Sequence, residues 1–253
     1  MNSINPEKTA GDLVGFLTSS FQKAGFTSAV IALSGGVDSA TSCALAVRAL
    51  GTDNVYPVLL PYGALNSQAT IDAVTVTESL GINQFHVMRI DIKPIVDPLI
   101  AKDPGMDNVR KGNLMARARM MVLYDQAKKR HALVIGTENK TEHLLGYFTR
   151  FGDEASDLEP LRNLYKTQVY EVARYLKLPD VILSRAPTAG LWEGQTDEGE
   201  FGFTYKEADE ILHQSIDEKT PEEKITGFDS DIVKRVLARV TSNDFKHHLP
   251  ILP

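Results

Sequence analysis

Ser34, Gly35, Gly36, Val37, Asp38 and Ser39 stand in a row within VIALSGGVDSATS, where a strand-like run ends and a helix-like run begins. Adjacent glycines let a backbone turn sharply or be approached closely. A glycine-rich turn between strand and helix aims free N–H groups and the positive helix end at an anion, and phosphate is the usual guest. The Ser34 and Ser39 hydroxyls add donors. Asp38 sharpens the reading, because a carboxylate beside phosphate is repelled unless a cation lies between them; it implies Mg2+. The lysine of GxxxxGK[ST] is missing, which argues against a kinase or GTPase loop. The plain alternative is a Gly-Gly turn whose Asp38 only complements a helix dipole.

A second constellation is GTENKTEHLLGYFTRFGD, 136–153. Glu138 and Glu142 lie one helical turn apart, so either can turn inward as a second metal carboxylate, or both can be solvated acids. Asn113 and Arg117 share a helix face at i, i+4 spacing and could reach one ligand or form a polar surface stripe. Arg150, between Phe148 and Phe151, suits an anionic or stacked partner, unless those aromatics are core. Lys166 opens a helical run, where a cation opposes the dipole. Broken local rules mark candidate functional sites, and an anion would explain this one. An extended lysine reaching solvent would serve as well.

These residues need a scaffold. Ala10, Leu13, Val14, Leu17 and Phe21 recur at helical spacing. Strands are expected at Ser28 to Leu33, Val55 to Leu60, Phe85 to Ile90 and Ala132 to Ile135. Helices are expected between them: one with Ala40, Cys43, Ala44 and Val47 on its inner face that Gly51 stops, and others at Ser67 to Leu80 and Asn108 to Lys129. Such alternation favours an α/β fold: a doubly wound, Rossmann-like parallel sheet flanked by helices. From Gly136 a loop-rich stretch is expected, then helices at Lys166 to Lys177, Tyr205 to Ile216 and Asp231 to Arg239. No linker or repeat divides residues 1–253, so one domain is expected.

The bulk numbers bound the function. A net charge of −6 argues against a nucleic-acid binder. The absence of a long apolar run argues against a membrane span. The single cysteine, Cys43, rules out an internal disulfide and a Cys-Cys metal site. A cytoplasmic, reduced enzyme is the expectation.

SGGVDS resembles the pyrophosphate loop of the N-type ATP pyrophosphatases, which cut ATP between its α and β phosphates. The 136–153 segment narrows this. It resembles ammonia-dependent NAD synthetase, whose pattern is GT, a Glu five positions on, then G-[FY]-F-T-[KR]-[FY]-G-D. The match covers Thr137, Glu142, Gly146, Phe148, Thr149, Gly152 and Asp153. GNLMARARM, LYKTQVYEVA, APTAGLWEGQTDE and LPYG are also similar to family segments.

The resemblance implies an adenine nucleotide alpha hydrolase-like fold and amidation of deamido-NAD by free ammonia, with ATP split to AMP and pyrophosphate through an NAD-adenylate. It implies Mg2+ at Asp38 and Glu142, and ATP on Ser34–Ser39, Thr137, Lys166 and Thr188. Deamido-NAD falls to Asn113, Arg117, Arg150, Asp157, Phe245 and Lys246. Lys166 and Asp153 are the expected catalytic residues, Leu191 to Phe203 the lid, and a homodimer the expected assembly. Three positions differ from the family pattern: Leu59 replaces an arginine, GDEASD replaces GDGG-x-D, and Phe245-Lys246 replaces His-Lys. A tRNA-modifying pyrophosphatase is the rival, but thiolating members need paired cysteines. An inactive nucleotide sensor is the other, against the retained Asp38, Glu142, Asp153 and Lys166. Glutamine use is not expected, because it requires a cysteine nucleophile and usually an extra domain.

Overall fold

The run SAVIA forms β1 (Ser28–Ala32), whose Ala29, Val30 and Ile31 are fully buried. A strand buried on both faces needs a helical layer on each side. The computed structural model describes residues 4–248 and supplies both. In chain order the other elements are α1 (Pro6–Ala24), α2 (Val37–Leu50), β2 (Val55–Leu59), α3 (Ser67–Ser79), β3 (Met88–Arg89), α4 (Lys93–Ile100), α5 (Asn108–Arg130) and β4 (Ala132–Ile135). Then come α6 (Lys140–Leu145), α7 (Lys166–Tyr175), α8 (Asp180–Leu183), α9 (Asp197–Phe201), α10 (Tyr205–Leu212) and α11 (Ser230–Asn243).

Among the described residues the strands form one parallel sheet in the order β3-β2-β1-β4. Ala29 of β1 stands opposite Val55 on one side and Leu133 on the other. The chain winds outward from β1 to β3, then crosses back to β4, so the winding reverses between β1 and β4. In open α/β sheets a crevice for ligands lies there, beyond the carboxyl ends of the strands. On one face Leu17 and Phe21 of α1, Leu45 of α2 and Val172 of α7 pack on Ile31. On the other, Val96 of α4 and Met115 and Leu123 of α5 pack on Val30, Val58 and Val134. A third cluster gathers α6, α10 and α11 around Leu145, Ile211 and Val236. The expected doubly wound α/β architecture is the one adopted. No helix among the described residues is long and apolar enough to cross a membrane.

Several local expectations give way to turn chemistry. Phe85, expected in a strand, is 84% exposed in a one-turn 3-10 segment, Gln84–His86, and β3 shrinks to Met88–Arg89. The Asn83 side chain accepts from the Phe85 N–H at 3.0 Å and turns the backbone before it can extend. The expected loop after β4 contains α6, capped by Asn139, whose Oδ1 accepts from the Glu142 N–H at 3.0 Å. The helix expected from Tyr205 to Ile216 ends at Leu212 and continues as one π turn, His213–Asp217.

The glycine turn after β1 depends on Gly35. Its φ is +79°, and a Cβ there would stand 2.3 Å from the Ala69 carbonyl oxygen of α3. Both the left-handed backbone and the close approach exclude a side chain. Gly35→Ala is expected to lower unfolding free energy by about 1–3 kcal/mol, read as the urea midpoint. An unchanged midpoint would show that the turn can relax.

Candidate functional site

The turn after β1 and the segment after β4 meet at the reversal point, and the first residue of α7 joins them. Asp38 projects from the first turn of α2 and Glu142 from α6. Lys166 reaches between them, its Nζ 2.5 Å from Asp38 Oδ2 and 3.0 Å from Glu142 Oε1, with the lysine side chain 4% exposed. The lysine that offends its own helix dipole is therefore paired with two carboxylates. Asn139 Nδ2 donates to Asp38 Oδ1 at 2.9 Å, and the Tyr205 hydroxyl lies 3.3 Å from Glu142 Oε1. Burial alone would neutralise this lysine, but the Asp38 and Glu142 charges outweigh it and hold the ammonium protonated. Asp209 on α10 fixes the frame. It accepts from the Thr141 hydroxyl at 2.5 Å and the Thr167 N–H at 2.8 Å, tying the starts of α6 and α7 together.

The two carboxylates converge on one point, and an ammonium holds it, so the donor set fits a cation. Among the described residues no group of three or more His, Cys, Asp or Glu is arranged to hold a metal. Mg2+ commonly takes one or two carboxylates and completes its shell with water and phosphate oxygens, and that is what Asp38 and Glu142 offer.

Around this point opens a cavity of about 510 Å3, a size suited to a small-molecule ligand. Ser34, Gly36, Val37, Asp38 and Ser39 form one wall, with Gly35 buried beneath it. Thr137, Glu142, Lys166 and Thr188 form a second. Asn113, Asp153 and Lys246 line the cavity as well. Asp153 Oδ1 accepts from the Thr149 N–H at 2.9 Å, and Thr149 Oγ1 donates to Asn113 Oδ1 at 2.8 Å. The enclosing protein pushes the Asp153 carboxyl above the usual range, against its hydrogen bonds and the Arg119 charge. Lys246 Nζ donates to the carbonyls of Gly146 at 2.6 Å and Phe148 at 3.0 Å, and burial lowers its pKa.

The other expected dinucleotide residues do not line the cavity. Arg117 donates from Nε to the Arg150 carbonyl at 3.2 Å, one residue along from the Thr149 that bonds Asn113. The Arg150 guanidinium stands over the Phe151 ring at 5.5 Å and the Phe245 ring at 5.7 Å. Asp157 Oδ2 accepts from the Val134 N–H at 2.8 Å, beside the end of β4. Glu138, the other candidate carboxylate, turns away to Arg162 at 2.7 Å. Burial raises its pKa to about 8, with the Arg162 charge opposing.

Three further side chains in or around the site, Asn139, Arg119 and Asp197, are not singled out by residue type. Asn139 carries one legible signal, a cap residue with Glu three positions on. Arg119 has none. It reaches the cavity from α5, donates from Nε to the Leu60 carbonyl at 3.1 Å, and places a cation next to Leu59, where the family pattern has its arginine. Asp197 accepts from the hydroxyls of Tyr205 at 2.8 Å and Tyr147 at 3.0 Å. Through Tyr205 it connects the 191–203 segment to Glu142. That segment lies over the cavity: Leu191 packs on Gly112 of α5, and Thr188 Oγ1 donates to the Gln195 carbonyl at 2.7 Å.

Known proteins match this chain over nearly its whole length. The family model described as NAD synthase matches residues 9–250. The NH(3)-dependent NAD(+) synthetase of Fusobacterium nucleatum subsp. nucleatum is 42% identical, covering 98% of this chain and 96% of its own. The solved NMN synthetase from Francisella tularensis superposes with a TM-score of 0.88 at 36% identity, covering 99% of both chains. The NH3-dependent NAD synthetase from Campylobacter jejuni, solved with a nitrate ion, gives 0.83 at 30% identity, covering 99% of this chain and 100% of that one. A phosphate-shaped turn, a paired-carboxylate cation point and an inner carboxylate thus sit in a chain that matches the same family from end to end, and the chain belongs to the NAD synthase family.

Proposed function

We propose that the chain amidates deamido-NAD with free ammonia. The nicotinate carboxylate attacks the α-phosphorus of ATP and pyrophosphate leaves; ammonia then adds to the acyl-adenylate, AMP departs, and the amide remains. The adenylation is needed because a bare carboxylate has no adequate leaving group. One observation carries the reading: the glycine turn, Lys166 and Asp153 line a single cavity, which lets the phosphates and the acyl carbon share one enclosed space.

Ser34, Ser39 and the turn's amides would bind the pyrophosphate end, and Lys166 would neutralise charge growing on it. Asp38 and Glu142 would hold Mg2+, which supplies further charge neutralisation on the phosphates when bound. Thr137 and Thr188 face the same space, and Arg119 offers the cationic contact that Leu59 does not. Asp153 would bind ammonium and take its proton, since only neutral ammonia is a nucleophile. The 191–203 segment would keep water from the adenylate.

The shoulder formed by Arg117, Arg150 and Phe245 supports a homodimer. Phe151 and Phe245 are 57% and 50% exposed there, and Val109 and Met121 of α5 are also exposed. A second subunit would cover them and complete the dinucleotide site. A buried, lone Cys43 suits a reducing, cytoplasmic setting.

A second reading, favoured by the likeness to the Francisella tularensis NMN synthetase, makes nicotinate mononucleotide the acceptor. Pyrophosphate release measured with ATP, Mg2+ and ammonium chloride separates the two. Release that requires deamido-NAD is expected, with little from the mononucleotide; the reverse preference would install the second reading. Release without either acceptor, or full activity with glutamine after removal of ammonia, would overturn the proposal.

A further inference from the structure

We propose that Lys166 acts as a placeholder for the metal: its ammonium occupies the point where Asp38 and Glu142 meet, so the divalent ion enters only together with nucleotide. The inference rests on the reading of Asp38 and Glu142 as the ion's protein ligands. The geometry supports exclusion first. Nζ is within hydrogen-bond reach of both carboxylates, at 2.5 and 3.0 Å. A divalent ion binding the same oxygens would stand only a few ångströms from the ammonium, and like charges so close in a buried site repel strongly. Lys166 must move aside for the ion to bind.

The structure also limits where it can go. The side chain is 4% exposed where it stands between the two carboxylates. Its other neighbours are the face of Tyr205, 4.8 Å from Nζ, and beyond it Asp197, whose carboxylate already accepts from the Tyr205 and Tyr147 hydroxyls. That ring is a weak partner beside a carboxylate. Displaced without nucleotide, the ammonium would be a buried cation lacking its partners, which is strongly unfavourable. The open side is the cavity that Lys166 and the glycine turn both line. Phosphates there supply the anion that the lysine needs and the oxygens that two protein carboxylates cannot. Exchange of Lys166 from carboxylates to phosphates then accompanies entry of the ion. By linkage, nucleotide and ion each tighten the other's binding to the same degree.

The test uses Mn2+ as the probe and its free-ion paramagnetic resonance signal as the readout, on the full chain. Wild type is expected to deplete that signal only when a non-hydrolysable ATP analogue is present, and then by more than the same analogue removes without protein. Lys166→Met is expected to bind Mn2+ without nucleotide about 5- to 150-fold more tightly than wild type does, the usual range for coupled sites. Adding Asp38→Asn to that variant should remove the gain. Mn2+ alone should also raise the melting temperature of Lys166→Met and not of wild type. Wild type binding Mn2+ through Asp38 equally well with and without the analogue would overturn the inference, whether or not the variant folds. So would a folded Lys166→Met with no gain from pH 7 to 9. If Asp38→Asn leaves analogue-dependent Mn2+ binding unchanged, the ligand assignment itself fails and the inference falls with it.

Discussion

Lys166→Met is expected to slow adenylation by about 100- to 1,000-fold, the usual cost of removing one preorganised charge partner of a transition state. Pyrophosphate release and NAD formation should fall together, because the lost ammonium acts before the adenylate exists. The geometry supports this order: Nζ lies 2.5 Å from Asp38 of the glycine turn, the proposed phosphate end of the cavity. A second consequence follows from burial. Removing one partner of a buried ion pair destabilises by about 3–5 kcal/mol, part of which protonation of Glu142 relieves. The two effects separate by experiment, since a folding defect lowers the active fraction while a charge defect lowers kcat in the folded fraction. Normal pyrophosphate release with lost NAD would move Lys166 to the second step.

Asp153→Asn should suppress NAD formation by about 100- to 10,000-fold, the range for a positioned general base, while ATP binding changes little. The pH dependence carries the sharper check. Burial raises the Asp153 pKa, so its basic form accumulates only as pH rises above the ordinary carboxylate range. At fixed total ammonium the neutral ammonia fraction rises in the same direction. Wild-type rate should therefore climb with pH on both counts, and the variant should keep only the limb due to ammonia. The same raised pKa has the opposite sign for folding. The folded state holds this proton more tightly than the unfolded chain does, so the stability from Asp153 is present at low pH. It is lost as pH rises through the folded pKa. If the variant lost pyrophosphate release as fully as NAD formation, Asp153 would belong to the first step.

The fold and the chemistry were unevenly legible in the residues. SGGVDS could be read because a phosphate turn is local: the strand run, the two glycines and Asp38 lie within a few positions of one another. Lys166 was legible for a different reason, as a cation at a helix start that local rules disfavour. Helical spacing placed Arg117 on the face of Asn113, and the two side chains do reach one segment, at the Arg150 carbonyl and the Thr149 hydroxyl. Phe85 shows where local reasoning fails, because one Asn83 side chain outweighs the β tendency of its neighbours.

By itself the sequence determined the alternation of strands and helices, the phosphate turn and the family pattern, since each depends on nearby residues. Residue spacing left Glu138 and Glu142 equivalent and the family pattern singled out Glu142, but only the tertiary structure gives the physical reason for the difference. The two sit one turn apart, yet Arg162 draws the first away while Lys166, 24 positions downstream, holds the second. It alone brought Arg119 to the cavity beside Leu59 and tied the 191–203 segment to Glu142 through Tyr205 and Asp197. Such choices turn on which charge meets which across long separations in a low-dielectric interior. That is set by how the layers pack and is invisible in spacing along the chain.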